Sequence, residues 1–83
     1  MTIKDYKIGD KIRVASVPPL VIEQMPKETI ELFQKCVGQE LRIVGFNEEY
    51  ELLEFHVEDD GTQSEEHGNH TIWIEPEYVE MVG

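Results

Sequence analysis

The sequence predicts a mainly β fold: a small, strongly bent antiparallel barrel of about five short strands with one inserted α-helix. Three observations predict it. The chain has 83 residues, which is one domain with a single core. Its apolar residues fall mostly in short runs with period two, the repeat of a half-buried strand. One segment alone carries helical spacing over ten residues or more, so a helical bundle is excluded.

Residues 8–17 open with Gly9-Asp10, and Ile12 and Val14 then alternate with Lys11 and Arg13. This is the first strand, and Pro18-Pro19 stops it, because neither proline can donate to a ladder. Residues 20–25 fit either a short edge strand or an extended loop. Pro26 suits the first turn of a helix, and Ile30, Phe33 and Val37 follow at helical spacing, flanked by Leu32 and Cys36. Glu31 and Lys35 have the favourable i, i+4 order, and Gly38 ends the helix in a left-handed conformation. About three turns are too few to stand alone, so this helix must pack on the sheet.

A second strand is expected over residues 39–46, with Leu41 and Ile43 on one face and a bulge or bend at Gly45. Asn47-Glu48-Glu49 is a turn. A third strand follows over residues 50–58, with Leu53, Phe55 and Val57 inward and Glu54, His56 and Glu58 outward. Residues 59–70 are polar throughout and predict a flexible acidic hairpin tip inside one domain spanning residues 1–83. Residues 71–74 form a fourth strand, Pro76 interrupts, and residues 78–82 form a fifth. Trp73 alternates with Ile72 and Ile74, so Trp73 faces either solvent or a packed surface under the helix. The Pro-led run Leu20-Val21-Ile22 poses the same choice.

Two phrases resemble SH3-like barrels. Lys7-Ile8-Gly9-Asp10-Lys11-Ile12-Arg13-Val14 resembles the Gly-Asp opening of their first strand. Ile74-Glu75-Pro76-Glu77-Tyr78-Val79 resembles their close, a proline and a 3₁₀ turn with tyrosine before the last strand. The resemblance covers about a quarter of the chain, at its two ends, and implies architecture. In peptide-binding members the closing proline and tyrosine line a groove for Pro-rich ligands, which would place Pro76 and Tyr78 there. The aromatic-rich N-terminal motif is absent, with Tyr6 standing alone, and so is the tryptophan doublet. Bacterial and plastid SH3-like subunits compare better. They include the ferredoxin–thioredoxin reductase variable chain and small photosynthetic accessory subunits, which act beside a larger enzyme without catalysing.

Charge is divided along the chain. The first 42 residues carry all seven Lys and Arg and six acids; the remaining 41 carry twelve acids and no Lys or Arg. The net charge of −11 repels phosphate backbones and anionic headgroups and favours basic partners. Neither nucleic acid nor membrane is therefore an expected partner. A protein partner with a basic surface is expected, with the chain itself a monomer or weak oligomer. A nucleic-acid mimic would also suit the charge. Cys36 is the only cysteine, so no intrachain disulfide forms and a reducing cytoplasm is expected. The N-terminal residues carry no signal-peptide pattern.

Catalytic patterns are weak, and no enzymatic activity and no cofactor are expected. Cys36 lacks an adjacent histidine and lies beside an apolar stripe, the setting of an inert thiol. His67 and His70, with His56 further back, are the candidates for a metal, but they sit on the polar tip without a cysteine partner. Asp59, Asp60, Thr62 and Glu65 lack the calcium-loop pattern. Eighteen acids make close carboxylate pairs unavoidable, so pairs alone do not signal a glycosidase. The expected function is a non-catalytic protein–protein interaction module. Its partner-binding residues are Trp73, Pro76 and Tyr78, with Glu75 and Glu77 as an acidic rim. The alternatives are an accessory subunit of a redox or photosynthetic enzyme complex and a metal-binding protein using the loop histidines.

Overall fold

A computed structural model describes residues 3–64 and 70–82. Among the described residues there are six strands: β1 (Lys11–Val14), β2 (Glu40–Arg42), β3 (Gly45–Asn47), β4 (Leu52–Val57), β5 (His70–Ile74) and β6 (Val79–Met81). Helices α1 (Pro19–Gln24) and α2 (Lys27–Cys36) lie between β1 and β2, and 3₁₀ turns cover Ile3–Asp5 and Pro76–Tyr78. The strands form two antiparallel sheets of three, in the orders β2-β1-β6 and β3-β4-β5. Mainly β with an inserted helical segment is therefore correct.

The expected second strand is divided. Ile43 donates its N–H to the carbonyl of Asp10, just before β1 of the first sheet, whereas Val44 donates to the carbonyl of Glu54 on the second, both at 3.0 Å. The chain thus changes sheets between adjacent residues, immediately before Gly45. A single run of apolar residues becomes β2 and β3 because the two ends pair with different neighbours.

Residues 20–25 are neither strand nor extended loop. They belong to α1, which makes two helices where one was expected. Pro19 occupies the first turn, where its missing N–H costs nothing and its fixed φ is already helical. Val21 then donates to the Pro18 carbonyl at 3.0 Å and Met25 to that of Val21 at 3.1 Å. Only Val21 of this helix is buried. In α2 the core residues are Phe33 and Cys36, with Ile30 and Leu32 partly covered. Val37, placed in the stripe by spacing, is exposed instead, because the helix ends at Cys36. Gly38 takes the left-handed φ of +86° and donates its N–H to Val14 on β1 at 2.8 Å.

The inward faces meet in one core. Ile12, Cys36, Leu41, Leu53, Phe55, Val57 and Ile74 are fully inaccessible, and Tyr6, Val14, Val21, Phe33, Ile43, Ile72 and Val79 pack with them. The alternation on β4 is as predicted, with Leu53, Phe55 and Val57 inward, although β4 begins at Leu52 and leaves Tyr50 in the preceding turn.

The described part of the polar tip turns back onto the sheet. Gly61 donates to Glu58 and Glu58 to Thr62, both at 2.9 Å, and Ser64 donates to His56 at 3.0 Å. Gly61, at φ +84°, lies so close to α2 that a Cβ would meet Lys35 C and O and Cys36 N at 2.7–2.8 Å. Residues 65–69, with His67, lie outside the described residues.

Candidate functional site

Alternation along β5 decides the orientation of Trp73. Ile72 and Ile74 point into the core, while Thr71 and Trp73 point out, leaving Trp73 44% exposed. Beyond the strand, the Pro76–Tyr78 turn is pinned at both ends. Tyr78 donates its N–H to the Glu75 carbonyl at 3.1 Å, and its own carbonyl accepts from Ala15 at 2.9 Å.

The five predicted docking residues divide by burial. Trp73 and Glu77 are exposed, Glu75 and Tyr78 half-buried, and Pro76 is buried. Pro76 therefore shapes the turn and does not present a surface. Burial, with the nearby Glu77 charge adding to it, raises the Glu75 carboxyl above the ordinary range. The Tyr78 hydroxyl is raised too, by desolvation and then by Glu77 and Glu75.

Two hollows join around these residues. One, of about 490 Å³, lies between Pro19 and Leu20 of α1, Tyr50, Leu52 and Tyr78, with Glu75 and Glu77 at its border. The other, of about 420 Å³, runs between the helices and β5. Leu20, Met25, Leu32, Leu52 and Trp73 line it, with His70 and Glu75. Leu20, Leu52 and Glu75 belong to both, so the two form one concave apolar surface from Trp73 to Tyr78. Leu52 and Tyr50 carry no local signal of this role. Leu20 stood out as an apolar residue in a Pro-led segment, but only the fold of α1 brings it opposite Trp73 and Tyr50.

The chemistry-bearing groups do not converge. Cys36 is fully buried, and burial, followed by the Asp60 charge, pushes its thiol up to about 11. At neutral pH it is a protonated core residue. His70 Nε2 meets Asp59 Oδ1, and His56 Nε2 lies 3.2 Å from Glu54 Oε2. Among the described residues no three His, Cys, Asp or Glu side chains gather as a metal would require.

Charge is sorted in space. Lys11 and Arg13 lie at 3.8 Å and 3.3 Å from Glu40 on the outer face of the first sheet, and Arg42 pairs with Lys11 across β1 and β2. The acids after Arg42 cluster in the turn before β4 (Glu48, Glu49, Glu51), in the Glu58-Asp59-Asp60 turn, and around the 3₁₀ turn (Glu75, Glu77). No helix among the described residues is long and apolar enough to cross a membrane. No protein-family model, curated protein or solved structure matches this chain.

Proposed function

We propose that this protein is a non-catalytic interaction module that takes a partner with a basic surface. The carrying observation is the concave apolar surface formed by Leu20, Tyr50, Leu52, Trp73 and Tyr78, with Glu75 and Glu77 on its border. Trp and Tyr are the residues that most often dominate binding energy at such centres. Acidic borders add steering and choice of partner. An SH3-like barrel is the architecture we assign to it. Supporting that assignment are the two three-stranded sheets, the chain crossing between them at Ile43-Val44, and the Pro76–Tyr78 turn before β6.

Affinity capture from native lysate, in parallel for the wild type and Trp73→Ala/Tyr50→Ala, tests this. Both side chains are exposed, so the double variant should fold normally. The wild type is expected to retain a basic protein at low salt, and the variant to lose it by at least tenfold, as truncation of an interfacial anchor predicts. Identical capture by both proteins would remove the assignment of this surface.

A further inference from the structure

Among the described residues, nothing pairs with the main chain of β5 on its outer side. In β4 the carbonyl of Glu54 accepts from Val44 and that of His56 from Ser64. Even-numbered residues of β4 therefore turn their main chain away from β5, and odd-numbered residues turn theirs toward it. With Leu53 opposite Ile74, Phe55 opposite Ile72 and Val57 opposite His70, the ladder is carried by His70, Ile72 and Ile74. Thr71 and Trp73 then direct both N–H and C=O outward, and no described residue bonds to them.

This edge differs from the others. The outer sides of β3 and β6 are only three residues long, and the outward N–H of Arg42 on β2 is met by Gln63 Oε1 at 2.6 Å. β5 has five residues with no Lys or Pro among them, so it lacks the usual protection of an edge strand. Along it runs the groove to α1 and α2, apolar in the middle through Leu20, Met25, Leu32 and Trp73. Its two ends are acidic: Glu75 at one, and Glu28, Glu31 and Asp59 beside His70 at the other, where Lys35 is the one cation.

We propose that an extended segment of a protein partner adds to β5 as a fourth strand of the second sheet. The segment is about five residues long, matching β5, alternates apolar side chains, and carries Lys or Arg at both ends. Its main chain pairs with Thr71 and Trp73. Its apolar side chains lie against Leu20, Met25 and Trp73, and its basic ends meet Glu75 and the Asp59 cluster. A second copy of this chain fits poorly: antiparallel pairing of two β5 strands sets Glu75 of each near Asp59 of the other, between molecules of net charge −11. The inference rests on the interaction-module function and specifies how its partner is held.

The probe is the capped peptide Arg-Val-Thr-Ile-Thr-Val-Lys, titrated into the full chain with amide hydrogen exchange as the readout. A second peptide, N-methylated at alternate residues on the pairing side, keeps the side chains and removes the donors. The expected result is saturable binding, exchange at Thr71 and Trp73 slowed at least tenfold, and at least tenfold weaker binding of the N-methylated peptide. Thr71→Pro, which deletes an outward N–H and no β4 ladder bond, should weaken binding similarly while remaining folded by circular dichroism. If that variant unfolds, the N-methylated peptide alone decides. Equal binding of the two peptides, unchanged exchange at Thr71 and Trp73, or no binding up to about 1 mM overturns strand addition. So does a dimer in sedimentation whose β5 amides are protected without peptide. If strand addition fails while the Trp73/Tyr50 variant still loses its partner, the docking surface stands and only the mode of binding is wrong.

Discussion

Gly61 shows how much one residue can fix. Its φ of +84° suits glycine, and the carbonyl carbon and oxygen of Lys35 leave no space for a Cβ. Gly61→Ala is expected to cost about 2 kcal/mol or more, from strain at positive φ together with a backbone clash, measured by urea unfolding. Cys36 gives a second prediction at this scale. Its thiol is buried and raised to about 11, so alkylation at pH 8 should be slow in the native protein and should accelerate with urea in step with unfolding. Rapid alkylation without denaturant would contradict its burial. Glu75 carries a pH dependence. Its folded carboxyl is raised by burial and then by Glu77, so the stability linked to protonation is complete below the unfolded value and lost as pH rises through the folded one. Glu75→Gln should therefore be more stable than the wild type at pH 7, by less than about 1 kcal/mol given partial exposure. The difference should vanish below about pH 4, the ordinary glutamate range. The sequence marked Cys36 as an inert residue and Gly61 only as part of a polar tip. The clash at Gly61 depends on α2, twenty-five residues earlier in the chain, and no local pattern carries it.

Among the elements, β4 and β5 were the most legible, because period-two alternation over five or six residues leaves one face to bury. Leu53 of β4 is fully buried in the core, and Leu53→Ala should cost about 3 kcal/mol. That is much of what a single core supplies at this size, so the variant should unfold at markedly lower urea concentration. The helix α1 was not legible. Val21 and Ile22 are β-branched and favour strands, and a proline pair is compatible with a loop, an edge or a helix start. Hydrogen bonds four residues apart settle it, Ile22 donating to Pro18 and Met25 to Val21, with Val21 alone of this run in the core. The split of β2 from β3 was also hidden, since it depends on the carbonyls of Asp10 and Glu54, distant in sequence, each accepting one of two adjacent N–H groups. The proposed docking surface inherits this division. Trp73 and Tyr78 are expected there from residue type and position, but Leu20, Tyr50 and Leu52 join them in the hollow only through the placement of α1 and the turn before β4.

At the scale of the molecule, charge and size act together. The longest extent is 31 Å, and the screening length falls from about 30 Å at 0.01 M salt to about 8 Å at 0.15 M. At low salt nearly every acid repels every other, which for a net charge of −11 opposes compactness. Raising sodium chloride over that range should raise the midpoint of thermal unfolding by several degrees, since about 1 kcal/mol moves a domain of this size by about 4–8 °C. A fall in the midpoint would show that the ion pairs of Lys11 and Arg13 with Glu40 outweigh the repulsion. The sequence by itself determined the β class, the inward set of β4, the helix after Pro26 and the uneven charge, because each follows from local periodicity, proline geometry or simple composition. Only the tertiary structure decided that Trp73 faces out, that α1 is a helix opposite it, and that no described residue pairs with the outer edge of β5 beside an apolar groove. Those features depend on which distant segment occupies each side of a strand, and the alternation within a strand does not specify its neighbours.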